Sequence, residues 1–189
     1  GLVYDLKHPA PDRRAEAAKT LGENKIRQAV PALVEAAGDT DANVRAAVLG
    51  ALDQIRDPRA LPAFVRLAGD ERADTRQKAL DAMVHLYVLD DTGFVAGTKK
   101  VLQFLNPFDS SYNDLIVEPY VMVSPDAIGP ASARLDDPEE KVRKAAIMSL
   151  GIFRASAALP RMKEVLPQEP SGKNRIEYFR SFYKIGLQD

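Results

Sequence analysis

Between Asp41 and Leu67 the apolar residues Val44, Val48, Ala51, Leu52 and Ile55 recur at helical spacing, so that one stripe of a helix is apolar and the remainder polar. Asp57-Pro58 then interrupts the pattern, because the residue before a proline is pushed out of the helical region and proline is tolerated only in a first helical turn. A second apolar set, Leu61, Phe64, Val65 and Leu67, predicts another helix that stops at Gly69-Asp70. The stretch therefore reads as one helix–turn–helix unit.

The unit is repeated. Its arginine recurs as Arg14, Arg45 and Arg76, 31 residues apart each time, with Leu21, Leu52 and Met83 seven residues after it. Pro31 and Pro62 stand seventeen residues after the first two arginines. Arg143, with Leu150 and Pro160 at the same offsets, and Arg175, with Phe182 seven on, resume the register. Between Arg76 and Arg143 there is room for a further unit, into which Asn113, Tyr120 and Pro130 fit, giving steps of 31, 31, 37, 30 and 32. An internal period of about 20–50 residues is the mark of a repeat array. Leu2-Val3 precedes Leu33-Val34 by 31, so the chain is expected to open in a second helix and to close on a first helix near Ile185. The aromatic residues of that last helix, Tyr178, Phe179, Phe182 and Tyr183, are expected to pack on the preceding unit, with an exposed docking surface as the alternative.

The pattern Asp-x-x-Val-Arg-x-x-Ala-x-x-Ala-Leu, a short turn with proline, then Leu-Pro-x-Leu/Phe, resembles the HEAT repeat, and the 31-residue spacing is similar to the short variety of the phycobilisome lyases. The resemblance implies an all-α fold, a superhelical solenoid of stacked antiparallel helix pairs, extending over residues 1–189 as a single domain with a divergent or inserted section at 87–124. It also implies a ladder between neighbouring units formed by Arg14, Arg45, Arg76 and Arg143 with Asp39, Asp70 and Asp137. Asn113 departs from that ladder, and Pro119 falls inside the helix expected there. The surplus residues, Tyr87 to Phe108, read as a turn at Leu89 to Gly93, a helix from Phe94 to Leu105 and a break at Asn106-Pro107, a candidate binding loop or a structural patch.

The family orientation places the arginine-bearing helices on the concave side, with the residues one, five and eight after each arginine facing the groove. The candidate partner-binding residues are then Lys19, Asp53, Asp81, Asp114 and Glu118, followed by Lys144, Met148, Arg180 and Tyr183. The groove is acidic in its middle and basic and apolar at its end, a gradient able to orient a partner helix or peptide.

The chain has 189 residues, of which 46% are hydrophobic and 28% charged, a globular balance rather than a disordered one. A net charge of −1 gives no general basic stripe, so nucleic-acid binding is not expected. No apolar run reaches about 18 residues, so no membrane span is expected, and a soluble, cytoplasmic protein is the expectation. The absence of cysteine removes disulfide and thiolate chemistry.

Catalytic motifs are sparse. His8 and His85 read as surface or packing residues. The iron-binding deoxyhypusine hydroxylases use several His-Glu pairs, and the sequence contains none. Ser110-Ser111 read as a helix cap, and Asp137, Pro138 and Glu140 as a capping box at a helix start. No catalytic, metal or cofactor residue is assigned. The expected function is non-catalytic: a protein-interaction or scaffolding module binding a protein or peptide. The alternative is a subunit of a phycobilin-lyase-like enzyme, and a HEAT-like DNA-repair protein is disfavoured by the acidic middle units.

Overall fold

The computed structural model describes residues 1–88, 117 and 121–186. Those residues contain helices and no strands. Five helices form one row: α2 (Pro11–Glu23), α4 (Ala42–Ile55), α6 (Ala73–Tyr87), α8 (Glu140–Ile152) and α10 (Gly172–Gly186). The other row comprises α1 (Leu2–Asp5), α3 (Val30–Ala36), α5 (Leu61–Leu67), α7 (Pro125–Ala133) and α9 (Leu159–Val165). Each first-row helix packs on the next, α2 on α4, α4 on α6, α6 on α8 and α8 on α10, while α3 meets α5 and α5 meets α7. The chain thus opens in the second row and closes in the first, as the apolar register anticipates.

Local chemistry explains the boundaries. Asp41 caps α4 by accepting hydrogen bonds from the N–H groups of Asn43 and Val44. Pro31, Pro62 and Pro160 stand in the first turns of α3, α5 and α9, where a missing N–H costs nothing. Lys25, Arg56 and Arg154, each eleven residues after its unit's arginine, adopt left-handed backbone with φ of 49°, 53° and 53°. They turn the chain from the first helix towards the second, and a non-glycine side chain tolerates that conformation only at some cost. At the equivalent place after α6 the turn is absent: Val88 is extended, and the chain departs into the section that follows.

That departure changes the unit count. The sequence spacing anticipates a complete unit around Asn113 between Arg76 and Arg143, yet α6 lies directly on α8 and α5 directly on α7. No layer is interposed in the stack. Residues 88–123 are therefore an insertion between the first and second helices of one unit, α6 and α7. Pro130, expected to begin a second helix, lies inside α7, and Pro125 occupies the first turn instead. The expected helix at 94–105, the cap at Ser110-Ser111, Asn113 and Pro119 lie outside the described residues. Buried Val117 donates its N–H to the Ile152 carbonyl at 2.8 Å, and the Ser124 N–H reaches the Tyr87 hydroxyl, tying the return of the insertion to the ends of α8 and α6.

The arginine–carboxylate ladder runs across the stack without a missing rung. Arg14 binds Asp39 through Nε and Nη2 at 2.6 and 2.8 Å, and Arg45 binds Asp70 at 2.6 and 3.4 Å. Arg76 binds Asp137 at 2.8 and 2.9 Å across 61 residues, and Arg143 binds Glu169 at 2.8 and 3.0 Å. The third donor, Nη1, goes in every case to the backbone carbonyl six residues before the arginine: His8, Asp39, Asp70 and Asp137. Each acid also accepts the backbone N–H two residues on, from Asp41, Arg72, Glu139 and Ser171. One guanidinium thus joins its own leading loop to that of the next unit with bidentate, charge-assisted bonds. The capping-box reading of Asp137 is accordingly overturned: α8 begins at Glu140 with Glu139 at its cap position, and Asp137 is spent on Arg76 and on the Glu139 N–H.

Both side chains of the Arg76–Asp137 pair are buried, 9% and 0% exposed, and removing one partner of such a pair typically costs about 3–5 kcal/mol. Burial pushes the Asp137 and Glu169 carboxyls up. The hydrogen bonds from Arg76 and Arg143, with those from the loop N–H groups, outweigh it and hold both below the ordinary carboxylate range. At Asp39 the hydrogen bond from Arg14 is the leading cause of the same downward shift.

First-row helices approach most closely where glycine allows it. A Cβ on Gly151 would stand 2.5 Å from the Ser181 Oγ and 2.9 Å from its Cα, and one on Gly22 would stand 2.5 Å from the Ala51 Cα. Gly50, on the open face of α4, has nothing within 4 Å of the same position. Chemical denaturation is expected to separate the two kinds of site. Gly151→Ala should lose about 1–3 kcal/mol by forcing α8 and α10 apart, whereas Gly50→Ala should gain up to about 1 kcal/mol from helix propensity. Equal effects of the two substitutions would contradict the close packing described.

Candidate functional site

The face of the first row turned away from the second row presents one register position per layer. Five residues after the arginine stand Lys19, Gly50, Asp81, Met148 and Arg180, all exposed or half-buried. Neighbouring helices in such packing lie about 8–10 Å apart, so this line spaces one side chain per layer. Between α2 and α4 the face dips into a shallow trough of about 430 Å³ whose lining includes Asp12, Ala15, Glu16, Lys19, Gly50 and Gln54. Lys144, one residue after its arginine, is exposed on the same face.

The position eight residues after the arginine does not belong to this open face. Gly22 abuts Ala51, Gly151 abuts Ser181, and Asp53 meets His85, so the position faces the following helix of the row. Asp53 consequently looks towards α6. Tyr183 occupies the corresponding side of α10, where it is exposed. Arg180 pairs with Glu177 at 2.6 Å within its own helix. Asp114 and Glu118 lie outside the described residues.

One cluster escaped the sequence reading. The His85 Nδ1 lies 2.8 Å from the Asp53 Oδ1, joining α6 to α4, with both side chains about one-third exposed. Asp81 stands one turn earlier on α6. The hydrogen bond to Asp53 raises the His85 pKa and outweighs burial, with Asp81 contributing in the same direction, while burial raises the Asp81 carboxyl. The sequence signal was the register itself: positions eight and nine of consecutive units face one another, and here they hold an acid and a histidine. Among the described residues, no group of three or more His, Cys, Asp or Glu side chains has the arrangement to hold a metal ion.

The sign of the pH dependence follows. A histidine whose folded pKa is raised contributes stability that is complete below its unfolded value, near 6.5, and disappears as pH rises through the folded value. Urea denaturation should therefore find Asp53→Asn less stable than the parent by about 0.5 kcal/mol at pH 6, a small value because the pair is partly solvated, and equal to it at pH 9. An NMR titration should place the His85 imidazole above 6.5; a midpoint at or below that value would contradict the pairing.

With this geometry in place, comparison with known proteins identifies the repeats. A family model of HEAT repeats matches residues 1–84, and a model of the PBS lyase HEAT-like repeat matches residues 142–166. No curated protein matches the chain in sequence. Among solved structures, the complex of CpcE and CpcF of phycocyanin lyase from Nostoc sp. PCC7120 is similar, with 20% identity, a TM-score of 0.57, and coverage of 96% of this chain and 95% of that one. Computationally designed armadillo repeat proteins for modular peptide recognition give 13% identity, a TM-score of 0.59, and coverage of 97% and 80%. At these identities the likeness concerns the fold. No helix of the described residues is long and apolar enough to cross a membrane. The two family matches, on either side of an insertion that the arginine ladder spans, make this chain a HEAT-repeat protein with phycobilisome-lyase-like repeats.

Proposed function

We propose that the chain is a non-catalytic interaction or scaffolding module that binds a protein or peptide on the open face of its first row. The observation that carries this reading is the line of one register position per layer, Lys19, Gly50, Asp81, Met148 and Arg180, on helices fixed relative to one another by buried ion pairs. A segment lying across that face meets a cation, an acid, an apolar side chain and a second cation in fixed order. Rigid presentation of such an order lowers the entropy cost of binding and selects one direction of the bound segment. The trough between α2 and α4 adds a recess for a small side chain at one end of the line. The designed armadillo proteins, which are described as serving modular peptide recognition, are consistent with such use of a related fold.

A second reading, a subunit of a phycobilin-lyase-like enzyme, draws on the lyase-type repeat at residues 142–166 and on the likeness to the CpcE–CpcF complex. It predicts a change in bilin absorbance when chain and chromophore are mixed, which a scaffold does not.

Affinity capture from a lysate of the source organism, followed by titration of the captured partner, distinguishes the faces. Asp81→Lys reverses a charge at the centre of the line on a half-buried surface residue, and circular dichroism checks that the helices are retained. The expected result is a partner bound by the parent and bound at least tenfold more weakly by the variant. Equal binding by both would remove the open face from the account.

A further inference from the structure

We infer that the guanidinium groups of Arg27 and Arg59, held side by side on the edge of the stack opposite the arginine ladder, bind a phosphoryl group. This edge is separate from the open face of the first row, and the inference does not depend on the function proposed above.

The edge is formed by the turns between the two helices of each unit. The turn from α2 to α3 carries Lys25 and Arg27, and the turn from α4 to α5 carries Arg56, Asp57 and Arg59. Asp57 is the one carboxylate in these two turns, and it is buried. Arg59 binds it on both oxygens, Nε to Oδ1 at 2.9 Å and Nη2 to Oδ2 at 2.7 Å. From the preceding unit the Arg27 Nε reaches Oδ2 at 3.3 Å, and the Arg59 Nη2 donates in return to the Arg27 carbonyl at 3.1 Å. One buried acid therefore holds two guanidinium groups of consecutive units together, although like charges at such separations repel.

The fold does not require this arrangement. The same left-handed turn forms at Lys25 and Arg154 with Ile26 and Ala155 at the position of Asp57, and with Gln28 and Ala157 at the position of Arg59. What Asp57 adds is the pairing of two arginines. The hydrogen bonds from Arg59 outweigh burial and hold its carboxyl well below the ordinary carboxylate range, so that it stays ionised between them.

The outward donors of the pair are unspent. The Arg27 and Arg59 side chains are 65% and 56% exposed, and among the described residues no acceptor lies against Nη1 or Nη2 of Arg27 or Nη1 of Arg59. Nearby acids are engaged elsewhere: Glu23 with Lys19, Glu35 with Lys7 and Asp53 with His85. Arg56, whose charge opposes protonation of His85, belongs to that last cluster. The two guanidinium groups and the exposed Lys25, two residues before Arg27, thus face a single carboxylate and leave an excess of two positive charges. A phosphoryl group, with a charge of about −1.5 to −2 at neutral pH and three acceptor oxygens, balances that excess. A carboxylate supplies only one charge. Planar guanidinium donors also pair with phosphate oxygens two at a time.

Isothermal titration calorimetry on the whole chain at fixed ionic strength tests the site with two probes, inorganic phosphate and a capped, otherwise neutral peptide bearing one phosphoserine. At least one should bind saturably, one per chain, with a Kd of about 1 mM or tighter. Arg27→Gln should weaken that binding at least fivefold. Arg13→Gln, which removes an exposed arginine near the start of α2, should leave it unchanged, with circular dichroism checking that both variants keep their helices. Glutamate in place of phosphoserine should weaken the peptide several-fold. Tighter binding of the phosphopeptide than of inorganic phosphate assigns the phosphoryl group to a phosphorylated side chain, and the reverse assigns it to a small phosphate compound. No saturable binding of either probe, equal losses from Arg27→Gln and Arg13→Gln, or a glutamate peptide bound as tightly as the phosphopeptide would overturn the inference.

Discussion

The fold depends on one interaction repeated four times: an arginine that ties its own leading loop, through carbonyl oxygens, to the carboxylate of the next loop. The arrangement works because guanidinium presents donors on two sides at once, a geometry that a lysine lacks. It also explains why charges can be buried here. Each carboxylate accepts both nitrogen donors of the arginine and a backbone N–H, so the cost of leaving water is met by a full set of hydrogen bonds rather than by a single contact. Apolar stripes supply the bulk of the packing energy between helices, but they do not fix the relative placement of successive loops. The ladder does, and the line of one register position per layer on the first row inherits its spacing.

The insertion is the clearest demonstration of this division of labour. The apolar face of α6 is satisfied by α8, and Arg76 by Asp137, although the chain between them is far longer than in the other units. Lys141 adds a surface pair with Asp74 across the same boundary. A solenoid layer contacts only its neighbours, so extra chain between the two helices of one unit need not disturb the stack. What it changes is local: where Lys25, Arg56 and Arg154 turn left-handed, Val88 directly after Tyr87 is extended. Tyr87 is instead engaged edge-on with Phe153, with ring centroids 5.6 Å apart.

Much of this was legible in the sequence. The stripe from Val44 to Ile55, the Asp57-Pro58 break and the run from Leu61 to Leu67 mark α4 and α5 almost to the residue, because amphipathic period and proline chemistry act locally. The extra unit around Asn113 was misread because an apolar residue and a proline at fixed offsets are weak requirements that many stretches meet. The ladder acid is a stronger one: 25 residues after Arg14 and Arg45 stand Asp39 and Asp70, but 25 after Arg76 stands Val101, and the next acid in register is Asp137. His85 was passed over for a related reason, since its partner Asp53 is 32 residues away and becomes a neighbour only when units are laid side by side. The assignment of position eight to the groove failed on a matter of helix rotation, which glycine at Gly22 and Gly151 signals through close approach rather than through exposure.

The central claim is that the ladder is continuous across the insertion, and a double-mutant cycle on Arg76 and Asp137 in the whole chain tests it most directly. Arg76→Ala, Asp137→Ala and the double substitution are compared by denaturant unfolding, with the Arg143–Glu169 pair as the reference for an uninterrupted unit. The account predicts that the two pairs show coupling of the same size, with the double variant far more stable than the sum of its single losses implies. Additive losses at Arg76 and Asp137, beside clear coupling at Arg143 and Glu169, would mean that the stack is broken at the insertion.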